Sequence, residues 1–155
     1  GLGTTVMVYF PRLQRCSTDL VGPTGPLPRG TERLLLVTGE VAVGEMVQEV
    51  LEHLGYSVSL YLSSLEALDA YRLTPQHYDL VLTDQALPQL TGEALAVELR
   101  RLAPQLPILL CTTFSYNITA ERAQSLGINA TLVKPFIIHE LAYTIRQVLD
   151  QAARP

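Results

Sequence analysis

Two patterns of hydrophobic and polar positions alternate along residues 33–149. Short apolar runs, of the length expected for buried strands, are followed by polar or turn residues. Between these runs, apolar residues recur every three or four positions, as on the buried face of a helix. The runs predict strands over residues 33–37, 57–62, 80–84, 108–111 and 130–133.

The segments between the runs carry helix signals. Gly55 stops the first helix, Ser63 and Glu66 form a plausible capping box for the second, and Thr91 is a candidate cap for the third. The predicted helices cover residues 43–54, 64–73, 92–102, 117–126 and 138–149. Five strands alternating with five helices predict an α/β fold with a doubly wound parallel sheet, and the pattern leaves the strand order open.

The first 31 residues differ from the rest. Residues 1–13 predict a Gly-rich turn and an apolar strand that Pro11 ends. Residues 14–31 contain repeated Pro and Gly without apolar periodicity, so they predict a linker. The compact domain is expected to span residues 32–152.

Composition and charge narrow the class of protein. The 155 residues are 48% hydrophobic and 17% charged, and no apolar run approaches the roughly 20 residues of a spanning helix. A net charge of −4 gives no indication of nucleic-acid binding. Only Cys16 and Cys111 are present, far apart, which suggests a reducing cytoplasmic setting rather than a disulfide framework.

Candidate chemistry lies where the predicted strands end. Asp84 follows the third strand, Thr112 the fourth and Lys134 the fifth, and Lys134 is the only lysine among eleven basic residues. Carboxyl ends of parallel strands share one edge of the sheet, so these groups should converge. A carboxylate nucleophile with a hydroxyl and an ammonium suits transfer of a phosphoryl group onto Asp84. Taken alone, an Asp at a strand end is more often a turn former or helix cap.

The segments LTDQALP, PILLCTTFS and LVKPF, in that spacing, resemble a response-regulator receiver domain over residues 32–151. The resemblance implies a flavodoxin-like fold with strand order 2-1-3-4-5. It also implies that Asp84 accepts a phosphoryl group from phosphohistidine, with Thr112 and Lys134 assisting and Mg²⁺ as cofactor. The expected partner is a histidine kinase or a histidine phosphotransfer domain. Beyond self-phosphorylation and dephosphorylation at Asp84, the domain itself is not expected to be an enzyme.

Residues 1–13, GLGTTVMVYFPRL, resemble the closing strand of a histidine-kinase ATPase domain. This second resemblance implies a hybrid sensor kinase with a C-terminal receiver, on the cytoplasmic side of the membrane if the parent kinase is membrane-bound. The N-terminal strand or the fourth-helix face could also join two copies of the chain.

Two departures from the receiver pattern concern function. The family places two adjacent acids after the first strand, whereas this chain has Thr38 and Gly39 followed by Glu40. With Asp84 and Glu40 as the only candidate ligands, Mg²⁺ affinity should fall, and an Asp84–Lys134 ion pair is expected to replace part of the metal's role. Thr131 occupies the usual position of a switch aromatic, a role that Phe114 or Tyr116 could take.

These departures keep a second function open. The chain could be a degenerate pseudo-receiver that regulates or binds a partner without phosphorylation. A flavodoxin-like enzyme is disfavoured because no Gly-rich phosphate loop follows the first strand. The three histidines show no ligand spacing, so a metal or phosphohistidine role is not expected for them.

Overall fold

The computed structural model describes residues 3, 4, 7, 25–113 and 118–153. Residues 1–13 lie outside the described residues apart from Gly3, Thr4 and Met7, as do most of the linker with Cys16 and the aromatic candidates Phe114 and Tyr116. No helix in the described part of the chain is long and apolar enough to cross a membrane.

Five parallel strands form a single sheet in the order β2-β1-β3-β4-β5. This order and the alternation with helices confirm the predicted fold. The strands are β1 (Arg33–Val37), β2 (Ser57–Tyr61), β3 (Leu80–Asp84), β4 (Ile108–Thr113) and β5 (Ala130–Lys134). The helices are α1 (Val41–His53), α2 (Ser64–Leu73), α3 (Gly92–Leu102), α4 (Ala120–Ser125) and α5 (Ile138–Ala152).

Alternating residues of the central strands point into two separate hydrophobic layers. In β1, Leu34 and Leu36 join the layer under α1 and α5, whereas Leu35 and Val37 join the layer under α2 and α3. Both faces of the sheet are therefore covered, which explains why the predicted strands are almost continuously apolar. Polar chemistry can emerge only where the strands end.

Side-chain caps set the starts of three helices. The Ser63 hydroxyl accepts a hydrogen bond from the Glu66 amide, and Thr91 does the same for Ala94. The Thr91 cap is confirmed, and of the predicted Ser63–Glu66 capping box the structure shows the Ser63 hydroxyl bond. Helix α4 begins at Ala120, behind a similar Thr119 cap, and so is shorter than the predicted segment of residues 117–126. Its sequence offers few apolar positions, and only Ala123 is buried.

The residues just before β1 pack against the domain. The Gly30 amide donates to the Leu54 carbonyl at 3.2 Å, and a Cβ at position 30 would lie 2.2 Å from the Tyr56 ring. Glu32 forms an ion pair with Arg146 of α5 at 2.7 Å. Glycine is required at position 30 because the backbone lies directly on the Tyr56 ring.

Cys111 lies inside β4, 4% exposed, in the layer under α1 and α5. Burial raises the pKa of its thiol to about 12, the nearby Asp84 charge acts in the same direction, and Lys134 acts against it. Cys111 therefore behaves as a small buried hydrophobe, since a thiol held in its neutral form is unreactive.

Leu95→Ala tests the packing between α3 and the sheet. Leu95 is fully buried, so the substitution leaves a cavity and should lower the free energy of unfolding by about 2–5 kcal/mol. Leu73→Ala is the matched control, because Leu73 is 83% exposed and its loss should change stability by less than about 0.5 kcal/mol. Urea unfolding followed by far-ultraviolet circular dichroism measures both. Equal effects would contradict the assigned core.

The raised pKa of Cys111 predicts slow alkylation in a Cys16→Ser variant. A free thiol with the ordinary value of 9.0 ionises three pH units below a thiol at about 12, so at neutral pH the thiolate fraction is lower by about three orders of magnitude. Iodoacetamide should modify the folded protein far more slowly than the urea-unfolded protein, as measured by mass spectrometry. The folded-state rate should still be rising at pH values where the unfolded-state rate has levelled off. Comparable rates in both states would show that the thiol is accessible.

Candidate functional site

Asp84 is the last residue of β3, where the buried strand reaches the carboxyl edge of the sheet. In the strand register it lies beside Cys111 of β4, and the preceding Thr83 lies beside Val37 of β1. Its side chain is 13% exposed. The strand thus places a carboxylate at the surface of the domain while leaving little of it in water.

Lys134 provides the positive charge at this carboxylate. Its Nζ lies 2.7 Å from Oδ1 of Asp84, and its side chain is 24% exposed. The predicted ion pair is confirmed. Removing two charges from water is costly, and a close pair with good geometry offsets that cost. The only lysine of the chain therefore sits where a compact ammonium can reach both Asp84 and any group bound to it.

Thr38 contacts the other carboxylate oxygen. Its hydroxyl donates to Oδ2 of Asp84 at 2.7 Å and accepts a hydrogen bond from the Glu40 amide at 3.2 Å. The sequence pattern indicates only that Thr38 stands in the place of an acid, so this contact was not predicted. The signal that could have indicated it is positional, because a hydroxyl one residue beyond β1 lies beside a carboxylate at the end of the adjacent β3.

Thr112 lies on the neighbouring strand, one residue beyond Cys111. Its side chain is buried, with 4% of the residue exposed, and its hydroxyl donates to the carbonyl oxygen of Thr113 at 3.3 Å. The structure places Thr112 at the edge of the sheet that carries Asp84, as expected from the sequence.

Glu40 occupies the residue before α1, and its carboxylate makes no cap hydrogen bond there. The residue is exposed and lines, with Lys134, Pro135 and Phe136, a shallow groove of about 360 Å³ on the α1 side of the site. The backbone amide of Glu40, and not its carboxylate, contacts Thr38 by donating a hydrogen bond to the hydroxyl.

The donor set around Asp84 does not suit Mg²⁺ well. This ion prefers an octahedral arrangement of oxygen ligands, usually carboxylates and water. Both oxygens of Asp84 already have partners, the Lys134 ammonium and the Thr38 hydroxyl. Among the residues that the structure describes, no group of three or more His, Cys, Asp or Glu side chains could hold a metal ion.

A chain of polar contacts leads away from the site towards α4. Gln85, which follows Asp84, donates from Nε2 to Oε1 of Glu93 at 3.1 Å, and Arg122 of α4 lies 2.7 Å from Oε2 of the same Glu93. Oε1 of Gln85 is buried without a hydrogen-bond partner. Thr131, in the expected switch position on β5, is exposed. The loop after Asp84 is thus connected to α4 through Glu93.

Comparison with known proteins places this site in a family. The family model for the response regulator receiver domain matches residues 34–146 of this chain. The chain is 34% identical over 121 residues to the transcriptional regulatory protein ZraR of Salmonella typhimurium, covering 78% of this chain and 27% of that protein. It is 26% identical to the sensor kinase CckA of Brucella abortus, covering 97% of this chain and 17% of that kinase.

A solved structure gives the same assignment. The signal receiver domain of a signal transduction histidine kinase from Syntrophus aciditrophicus superimposes with a TM-score of 0.71 at 25% identity, covering 80% of this chain and 94% of that one. The chain spans about a quarter or less of the length of ZraR and CckA, so these matches concern a domain of each. The matched family model, the strand order and the acid at the end of β3 together show that this chain belongs to the response regulator receiver domain family.

Proposed function

We propose that Asp84 accepts a phosphoryl group from a phosphohistidine and that the domain signals through the resulting change in conformation. The observation that carries this proposal is the carboxylate at the end of β3 with the Lys134 ammonium 2.7 Å from one of its oxygens. A nucleophile and a cation at one sheet edge are the parts that phosphoryl transfer to a carboxylate requires.

The proposed transfer is a single displacement at phosphorus. A carboxylate oxygen of Asp84 attacks the phosphorus, a P–O bond forms, and the P–N bond to the donor imidazole breaks. The imidazole nitrogen keeps the electron pair and takes a proton from solvent. During this step the Lys134 ammonium turns from the carboxylate oxygen towards the phosphoryl oxygens, and Thr112 offers its hydroxyl to them.

Receiver domains generally bind Mg²⁺ in an acidic pocket, where the ion neutralises charge between carboxylate and phosphoryl group. In this chain Asp84 and Glu40 are the candidate ligands, and the acid pair is replaced by Thr38 and Gly39. The proposed step is therefore assigned to the side chains alone.

The proposed signal passes from Asp84 to the face formed by α4 and β5. The Gln85–Glu93–Arg122 contacts support this route, because movement of the loop after Asp84 would alter the pairing of Glu93 with α4. Thr131 has no ring to couple with Thr112, and Phe114 and Tyr116 lie outside the described residues, so the proposed route rests on this polar connection. Oε1 of Gln85 is buried without a hydrogen-bond partner, which is energetically unfavourable. The Gln85 side chain would gain a hydrogen bond if movement of the loop brought a donor to this oxygen.

The donor and the parent protein are proposed from the context of the domain. Similarity to CckA extends over 97% of this chain, beyond the receiver itself, which supports a hybrid histidine kinase as the parent protein. In that protein residues 1–13 would be the C-terminal end of the kinase ATPase domain, residues 14–31 a linker and residues 32–152 the receiver. The partner would then be a histidine kinase or histidine phosphotransfer domain on the cytoplasmic side.

A pseudo-receiver is the second candidate; the similarity to response regulators favours the phosphoacceptor role over it, and the observation on its side is the Thr38 contact. Both oxygens of Asp84 are engaged by groups of the chain itself, so an entering phosphoryl group competes with them for the carboxylate. A domain fixed in this state would serve as a binding module whose conformation does not change.

Phosphorylation of Asp84 is tested with phosphoramidate, a small donor with a P–N bond. Intact-mass spectrometry should show addition of one phosphoryl group to the unmodified protein, and hydroxylamine should remove it because the product is an acyl phosphate. Asp84→Asn should abolish the gain. Asp69→Asn is the matched control, since Asp69 lies on the exposed surface of α2 and should leave the reaction unchanged. A protein that gains no phosphoryl group would instead support the pseudo-receiver.

Lys134→Gln tests the role of the ammonium. Losing this charge should lower the initial rate of phosphorylation by about 100-fold, because the cation no longer stabilises the phosphoryl oxygens. Lys134→Arg keeps the charge and should recover part of the rate. Thermal unfolding of each variant shows whether it is folded under the assay conditions. An unchanged rate in folded Lys134→Gln would remove the ammonium from the mechanism.

A further inference from the structure

We infer that Thr38 and Gly39 make this receiver site exclude Mg²⁺, and that Lys134 supplies the positive charge in the ion's place. The inference concerns the cation requirement of Asp84 and rests on its proposed function as phosphoryl acceptor. Three observations support it: the partners of Asp84, the way Thr38 is held, and the space beside Gly39.

Asp84 is electrically neutralised by the chain itself. Lys134 Nζ and the Thr38 hydroxyl lie 2.7 Å from Oδ1 and Oδ2 respectively. At the carboxylate itself one negative charge is paired with one ammonium, and Glu40, the other candidate ligand, is exposed, so little net negative charge is left there to attract a divalent cation. An ion entering here would also lie close to the ammonium, and this like-charge repulsion is strong where water is scarce.

Thr38 is fixed in an orientation that directs its proton to Asp84. The residue is 2% exposed, and a Cβ at position 44 would lie 2.7 Å from its methyl group, so Gly44 leaves the notch in α1 that the methyl fills. The Glu40 amide donates to the Thr38 oxygen at 3.2 Å. A hydroxyl that donates its proton to Asp84 and accepts from the Glu40 amide keeps one lone pair and carries no charge, so it is a poorer Mg²⁺ ligand than the carboxylate that the family pattern places there.

Gly39 stands where the family pattern places the second acid, yet nothing in its surroundings requires a glycine. A Cβ at position 39 would lie 3.5 Å from the carbonyl oxygen of Ala86 and from Cδ of Pro88, which is ordinary contact. Its φ lies outside the left-handed region. A side chain would therefore fit, and the missing carboxylate sets the chemistry of the site rather than its packing.

The same arrangement suits a phosphoryl group better than a cation. A phosphoryl group brings negative charge and acceptor oxygens, and the compact Lys134 ammonium has three donors to offer. When the ammonium turns to the phosphoryl oxygens, Thr38 still donates to the carboxylate. Lys134 thus stabilises the phosphoryl oxygens and Thr38 the carboxylate, two roles that a bound cation would otherwise combine.

The test is a Mn²⁺ and Mg²⁺ titration of the unmodified chain, Gly39→Asp and Gly39→Asn. Free Mn²⁺ is counted by electron paramagnetic resonance, and Mg²⁺ binding is followed by amide NMR shifts around Asp84. Gly39→Asp should raise divalent affinity at least about tenfold, because a second carboxylate gives the site a net negative charge. Gly39→Asn has the same shape without the charge and should bind as weakly as the unmodified chain.

A second variant guards against a failure of Gly39→Asp to fold. Thr38→Asp combined with Gly39→Asp restores both acids and should bind Mn²⁺ about 100-fold more tightly than the unmodified chain. Saturable binding by the unmodified chain, with an affinity equal to that of either folded acid variant, would overturn the inference.

Phosphoramidate reactions in EDTA and in Mg²⁺ separate this inference from the proposed function. The unmodified chain should react at the same rate, within about twofold, in both buffers, since no step uses a cation. Reaction in Mg²⁺ alone would overturn the inference and leave Asp84 as acceptor. No reaction in either buffer would overturn the proposed function, and the titration would then decide the inference by itself.

Discussion

The central strands of this domain have no face exposed to water, and that constraint determines where chemistry can occur. Leu34 to Val37 and Leu80 to Leu82 are almost fully buried between two layers of helices. A polar side chain within such a strand would be costly unless fully paired. The end of β3 is the first position where a carboxylate can reach water. Even there the Asp84 side chain is mostly buried, and its charge is stabilised by the Lys134 ammonium.

This pairing links parts of the chain that lie far apart. Asp84 ends β3, Lys134 ends β5, and β4 lies between them. The ion pair therefore bridges across the end of an intervening strand that carries Cys111 and Thr112. Contacts lead from this pair to the connection after β5 and, through Gln85 and Glu93, to Arg122 of α4. The charge at this sheet edge therefore lies next to both elements of the proposed signalling face.

Much of the architecture could be predicted from local sequence. The strands are short apolar runs, and Ser63 and Thr91 are caps whose partners lie three residues ahead, so each signal is contained in a few neighbouring residues. The strand order was predicted from the resemblance to receiver domains, because hydrophobic periodicity does not indicate which strands pair. The Asp84–Lys134 pair followed from two charges placed after strands of the same sheet.

The contacts that sequence did not indicate depend on register and on packing at a distance. The Thr38 hydrogen bond requires Val37 to lie beside Thr83, which brings the next two residues together. Pro- and Gly-rich composition at residues 25–31 gave no sign that Gly30 would lie on Tyr56 or that Leu27 would pack against the core. Helix α4 was overestimated because its few apolar residues define its limits poorly.

The packing of residues 25–32 brings the two ends of the folded domain together. Pro28 and Gln151 line the same groove, and Glu32 is tied to Arg146 of α5. Residues 25–32 and the end of α5 thus adjoin, whereas Asp84 lies at the carboxyl end of a strand. Domains whose ends adjoin can be inserted into a surface loop of another protein, or have their ends joined and reopened elsewhere, with little change to the fold. Such a domain can serve as a portable module.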